Sequence, residues 1–271
     1  MLATPKRKWA ELQDGSDLPF DLNVAMSTVR ASPEMMSVVD LFGIPQLYTK
    51  SLDEIRGGKD YYESIVHAIV SQQIADAAAR TMYSNVEKLC APKGITPSRI
   101  LDIVGFCGKD GDSLKKRDEV KAVCKKFEPT RKAAGLSEAK LVAMVGVAAK
   151  WGELEEELER DPINEVTLRE KLLAINGVGA WTVDMLMLFK FRLADVWPVG
   201  DLAFRGGLAT TFDLKKELNN KNANDLESMN EIGMRFKGFR SVVAVLMYRV
   251  YDASKAASKT NSPKKKKKKT T

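Results

Sequence analysis

Apolar residues along this chain recur at intervals of three and four, the period of a helix with one buried face. Tyr61, Tyr62, Ile65, Val66, Ile69 and Val70 predict a long helix that continues into the Ala-rich stretch Ala75–Ala79. Ser32-Pro33-Glu34 reads as a cap, an N1 proline and a first-turn acid, opening a helix through Leu41 and Phe42. Thr96-Pro97-Ser98 opens another, and Leu136-Ser137-Glu138 a third that carries Leu141, Met144, Val145 and Val147. Thr167 to Ile175, Thr182 to Phe189, Asp201 to Thr211, Leu226 to Phe236 and Ser241 to Tyr251 complete the series. No convincing alternating strand interrupts them, so the expected fold is all-α with about nine or ten helices. The stretch from Gly105 to Thr130 differs in texture: it contains Gly108-Lys109-Asp110-Gly111-Asp112 and then mixed charges, and reads as a loop or a short exposed helix.

Charge changes the picture only once it is located. The net charge of +7 suggests nucleic acid. Residues 253–271, however, hold eight lysines and no acid (Lys255, Lys259 and Lys264 to Lys269), which leaves 35 basic against 36 acidic side chains elsewhere. A DNA-binding face on the body must then be a local patch, balanced by acidic stretches such as Glu153–Glu159. The expected organisation is a flexible basic segment over residues 1–20, a helical core over 21–252 and a disordered Lys-rich tail over 253–271. Pro5-Lys6-Arg7-Lys8 and the terminal lysine run each fit a nuclear-import signal or a non-specific DNA tether, the terminal run more than the first, with a solvated tail as the plain reading of both. The nucleus is the expected location. Cys90, Cys107 and Cys124 form no CxxC pair and His67 is the only histidine, so no zinc site is expected. Three scattered thiols without a signal-peptide pattern fit a reducing, intracellular setting. No apolar run reaches membrane-spanning length.

The stretch that carries chemistry is Leu172-Leu173-Ala174-Ile175-Asn176-Gly177-Val178-Gly179-Ala180-Trp181-Thr182. One helix ends, two glycines permit a tight turn and a close backbone approach, and a second helix begins. The free N–H groups at its start suit a phosphate oxygen, a contact that positions a DNA backbone without reading sequence. A plain helical hairpin with a glycine cap fits the same residues. About twenty residues later comes Trp197-Pro198-Val199-Gly200-Asp201-Leu202-Ala203-Phe204-Arg205-Gly206, with Asp201 at a helix N-terminus. An N-cap aspartate is the plain reading. A carboxylate in such a cap stays charged, which is also what a cationic sugar in a glycosidic transition state needs.

Together these residues resemble the helix-hairpin-helix–Gly/Pro–Asp DNA glycosylases, in their alkyladenine (3-methyladenine) branch, over about residues 33–251. The anchors are Ser71-Gln72-Gln73, Ala134-Gly135-Leu136-Ser137 with Lys140, the hairpin, the Pro-Val-Gly-Asp turn, and Phe236-Lys237-Gly238-Phe239-Arg240-Ser241. The resemblance implies a two-lobed helical fold with a cleft for DNA and the flipped base. It matches Asp201 to the catalytic aspartate and Gly177, Val178 and Gly179 to the phosphate-binding hairpin. Gln73 falls where a side chain wedges into the gap left by the flipped nucleotide. Trp181 stands where bifunctional relatives carry a lysine nucleophile, so the implied enzyme is monofunctional, with Trp181, Met185 and Tyr248 in the base pocket. No cysteine follows Cys124, so the four-cysteine iron–sulfur cluster of some relatives is not expected; some such hairpins hold a monovalent cation through backbone carbonyls.

The departures are Phe236 and Gly238 where relatives commonly carry Trp and Pro, Tyr248 near a frequent Trp, Met185 in place of an aromatic, and an unplaced insertion at about 109–128. The expected activity is excision of 3-methyladenine and 7-methylguanine from double-stranded DNA by a monomer. A glycosylase of this fold for deaminated purines or mismatches, and a non-catalytic helix-hairpin-helix DNA-binding protein, stay open.

Overall fold

The computed structural model describes residues 18–50, 60–106, 117–160, 163–214 and 218–260. Among them there are fourteen α-helices and no strand. Both basic terminal clusters, Cys107 and the segment 107–116 lie outside the described residues. Two compact units divide the chain: residues 50–193 form one, and the segments up to Thr49 and from Ala194 form the other.

The first of these units begins with α3 (Tyr61–Ser71) and α4 (Asp76–Cys90), preceded in the chain by α1 (Leu22–Arg30) and α2 (Pro33–Phe42) of the other unit. α5 (Pro97–Ile103), α6 (Arg117–Lys126), α7 (Glu128–Ala133) and α8 (Glu138–Ala149) follow, then α9 (Trp151–Leu158), α10 (Glu165–Leu173) and α11 (Ala180–Met185). The single long helix expected over 61–79 is broken: α3 stops at Ser71, and Gln73 takes a φ of 54° before α4 starts. The ends of the two helices carry no Gly or Pro to announce that break. Of the insertion, the described part forms the short helix α6, which is not fully exposed as expected, because Val120 and Cys124 are buried in the unit. Burial pushes the Cys90 thiol up to about 11 and the Cys124 thiol to about 12, so neither is a reactive thiolate at neutral pH.

α8 is the centre of this unit. Eight of its residues, from Lys140 to Val145 with Val147 and Ala148, are buried, so it is enclosed on most sides rather than on one stripe. It packs against α3, α5, α6 and α7. Its small residues let other backbone approach: a Cβ on Gly177 would lie 2.9 Å from the Ala143 Cβ and 3.0 Å from the Ala139 carbonyl, and one on Gly146 would lie 2.9 Å from Ile175. Lys171 on α10 donates to Glu157 on α9 at 2.7 Å, and Glu157 is almost fully buried.

The other unit holds α1 (Leu22–Arg30), α2 (Pro33–Phe42), α12 (Leu202–Thr211), α13 (Ala223–Met234) and α14 (Arg240–Thr260). α14 runs past the expected end at Tyr251 to Thr260, into the stretch expected as tail. α12 lies directly on α14 at two glycines: a Cβ on Gly207 would lie 2.0 Å from the Met247 backbone carbonyl, and one on Gly206 would lie 2.5 Å from the Tyr251 ring. Pro33 and Glu34 occupy the first turn of α2 as the sequence implies, although the Ser32 hydroxyl donates to the Glu34 carboxylate instead of capping backbone. Arg235 donates to both at 2.9 and 3.0 Å and its guanidinium lies over Phe212 and Phe236.

Two predictions follow from these contacts. The two hairpin glycines separate by cause: Gly177 has φ +89 and no room for a Cβ, whereas Gly179 is extended with open space around it. Gly177→Ala is expected to cost about 2 kcal/mol or more in a urea melt, and Gly179→Ala no more than about 1 kcal/mol, the cost of a poorer N-cap. Hydrogen bonds from Arg235 and then Ser32 hold Glu34 down to about 2 from its usual 4.5, so its contribution is present above about pH 4.5 and is lost as pH falls towards 2. Glu34→Gln should lower stability at pH 7 by less than about 1 kcal/mol, since the pair is solvent-screened. The gap from wild type should close in melts near pH 2.

Candidate DNA-processing site

The hairpin forms as its sequence implies, with the first helix ending two residues early. α10 is capped by the Asn164 side chain, which accepts from the Thr167 N–H at 3.1 Å, and closes at Ala174. Ile175 and Val178 are buried and anchor the turn; the Val178 N–H donates to the Ile175 carbonyl at 3.1 Å. Gly177 supplies the left-handed turn and the close seat on α8, while Gly179, at the cap of α11, has nothing of this chain within 4 Å of a Cβ position. Among the described residues, the missing side chain at Gly179 therefore serves neither conformation nor internal packing, and it leaves the start of α11 open.

α11 is short. It passes into a π-helical turn, Leu186–Lys190, rather than running as the continuous helix expected to Phe189. Leu186, Met187 and Leu188 are all buried, and the wider turn lets three consecutive side chains face the interior, which an α-helical stripe does not. Trp181 and Met185 stand four apart on α11 and so share a face. Trp181 is 39% exposed, unusual for so large an apolar ring, and Met185 is half-buried. Arg169 on α10 pairs with the buried Asp184 at 2.7 Å, which fixes the rotation of α11 and with it that face.

Gln73 lies exposed in the turn between α3 and α4. Its neighbour Gln72 donates to the Gly177 carbonyl at 3.3 Å and to the Thr182 hydroxyl at 2.8 Å. Lys140 donates from α8 to the Val70 carbonyl at 2.6 Å, and burial pulls its ammonium below the usual lysine range. Sequence reasoning singled out both Gln72 and Lys140 without giving either a task.

In the other unit Asp201 is the N-cap of α12, as its setting implied. Its Oδ1 accepts from the Phe204 N–H at 2.9 Å, and its own N–H donates to the Pro198 carbonyl at 2.9 Å. The loop before it is held from three directions. Arg205 donates to the Val199 and Leu218 carbonyls, both at 2.9 Å. Trp197 donates from its indole to the Met229 carbonyl at 3.1 Å and meets the Phe204 ring edge-on at 4.7 Å. Asp195 takes two hydrogen bonds at 2.7 Å from the Arg240 guanidinium and one at 2.8 Å from the Gly238 N–H. Burial raises the Asp195 carboxyl, but these donors outweigh it and hold it below the usual range.

The Phe236–Ser241 stretch is thus a fastening. Gly238 takes φ +92, a conformation proline cannot adopt. The buried Ser241 hydroxyl accepts from the Val196 N–H at 2.9 Å. Tyr248, expected in the base pocket, is half-buried on α14 next to Met247, the residue whose backbone receives Gly207. Arg205, Asp195 and Arg240 were missed as positioning groups because neither an arginine aimed at backbone carbonyls nor an Asp–Arg pair far apart in the chain leaves a spacing pattern. Arg205 did lie inside the stretch that drew attention to Asp201.

No family model matches the chain. It is 29% identical over 154 residues to DNA-3-methyladenine glycosylase 1 of Schizosaccharomyces pombe, a stretch covering 55% of this chain and 57% of that relative. The chain thus spans less than two thirds of that relative's length. A solved S. pombe 3-methyladenine DNA glycosylase in complex with abasic DNA superposes with a TM-score of 0.59 at 22% identity, covering 83% of this chain and 95% of that one. The 3-methyladenine DNA glycosylase of Archaeoglobus fulgidus gives 0.57 at 18% identity, over 92% of this chain and 77% of that one. At such identities the structural likeness speaks to fold, and the sequence relative speaks to descent. In sequence this chain is thus similar to a 3-methyladenine DNA glycosylase over about half of its length, and in fold to two solved ones.

Proposed function

We propose that this chain is a monofunctional DNA glycosylase that extrudes alkylated purines from duplex DNA and hydrolyses their glycosidic bond, acting on 3-methyladenine and 7-methylguanine. The observation that carries the reading is Asp201: a carboxylate fixed at a helix N-terminus in a loop clamped by Arg205 and Trp197. A cap needs only the first of these constraints; a preorganised electrostatic partner needs all of them. The hairpin from Gly177 to Gly179 would take a backbone phosphate, and Gln73 would fill the gap that a flipped nucleotide leaves.

An alkylated purine carries positive charge and leaves readily. The C1′–N bond breaks, its electron pair goes with the base and cancels the ring charge, and the sugar becomes oxocarbenium-like. Asp201 stabilises that cation and orients the water that adds to C1′, and the proton this water loses passes to solvent. Trp181 and Met185 offer one apolar face to the base, and the indole attracts the cationic ring by roughly 0.5–2 kcal/mol. The resemblance also gives Tyr248 a role in holding the base.

With Trp181 where a lysine nucleophile would stand, no Schiff base forms and the backbone stays intact. The chain's three cysteines cannot build a four-cysteine cluster. A monovalent cation held by hairpin carbonyls fits the reading but is not required by the chemistry. We place the enzyme in the nucleus, as a monomer, in base-excision repair.

Incubated with methylated duplex DNA, the protein should release free 3-methyladenine and 7-methylguanine and leave sites that break only on alkaline treatment. Direct strand cleavage would refute the monofunctional assignment. Release from deaminated or mismatched duplexes alone would move the substrate to another lesion class. Trp181→Ala should slow release of the charged bases by about 2- to 30-fold, the range the cation–π term allows.

A further inference from the structure

Gln73 occupies the left-handed region without being a glycine, a conformation that persists only where the surroundings impose it. The chain leading into it is held twice. The Val70 carbonyl, in the last turn of α3, accepts from Lys140 at 2.6 Å. Immediately before Gln73, the Gln72 side chain reaches the Gly177 carbonyl and the Thr182 hydroxyl. A carbonyl only accepts, so the group facing Gly177 is the Gln72 amide –NH2. Lys140 and the Gly177 seat belong to the same face-to-interior helix, α8, with Ala139 and Ala143 beneath Gly177. The turn, the hairpin and α8 therefore close a triangle of short contacts, and Thr182, buried on α11, ties in the helix that carries Trp181.

We propose that Gln72 is a positioning residue that holds the Gln73 turn in register with the Gly177–Gly179 hairpin, so that gripping the DNA backbone and filling the gap in the stack act as one unit. The inference rests on the reading of Gln73 as the wedge and the hairpin as the phosphate site. Lys140 holds the end of α3 that leads into the same turn. Gln72 touches no DNA in this scheme; it acts through Gln73.

The test is a double-mutant cycle on the full chain. Binding is measured to a duplex with one stable abasic-site analogue and to the same duplex undamaged, at one ionic strength, with thermal melts of every variant. Gln73→Ala should reduce the preference for the abasic duplex by about tenfold, a coupling of ordinary size. Gln72→Ala should reduce it by a similar factor, with little change on undamaged DNA. The double variant should fall no further than about twofold below either single one, because the two residues work through one turn. Where Gln72→Ala melts too low to assay, Thr182→Val removes one acceptor of the amide in nearly the same volume and should lower the preference by severalfold. Multiplying effects, or an unchanged preference in both Gln72→Ala and Thr182→Val, would overturn the inference while leaving the wedge intact. A wild type that binds both duplexes equally would overturn the wedge reading and this inference with it.

Discussion

The seating of Gly177 against α8 is the contact on which the rest of the first unit depends. A hairpin can present backbone to DNA only if its own turn is held from behind. Here the hold is a glycine with 2.9 Å between a would-be Cβ and Ala143, over a helix whose flanks are themselves enclosed. Close packing of this kind has no slack. The turn that carries Gln73, the hairpin and the Trp181 helix inherit their mutual register from it, through the Lys140 and Gln72 hydrogen bonds. The other unit uses the same device once more, with Gly207 set on the backbone of α14 to hold the helix that Asp201 caps.

Much of this was legible in the sequence because it was written in glycines, caps and period. Ser137 and Thr96 both cap the helices they were placed before, and Asp201 sits where its Pro-Val-Gly approach put it. The break between Ser71 and Asp76 was not legible. Gln73 has no local preference for its conformation, which comes from partners 67 or more residues away in the chain. The π-helical turn after Met185 was hidden for a related reason, since the side chains of Leu186, Met187 and Leu188 suit either register and only the interior decides.

Charge was the least informative feature of the body. The basic surplus sits largely in the terminal lysines, and the ion pairs within the described residues serve alignment. Arg169 with Asp184 fixes α11, Lys171 with Glu157 joins α9 to α10, and Arg240 with Asp195 fastens α14. The departures from the alkyladenine pattern fall in such fastenings as well as near the proposed pocket. Phe236 is a buried platform beneath Arg235 and Gly238 a left-handed turn, so both have structural reasons that say little about base preference.

The claim at the centre is that Asp201 does more than cap α12. The direct measurement is single-turnover base release from methylated duplex DNA by Asp201→Asn, with duplex affinity and thermal stability recorded on the same preparation. Asparagine still accepts the Phe204 N–H, so the cap and the fold should survive. Release should nevertheless fall by about 10²–10³ with affinity unchanged, the usual loss when a preorganised electrostatic partner is removed. Excision at the wild-type rate by a folded, DNA-binding Asp201→Asn would contradict the assignment and leave the residue as a cap alone.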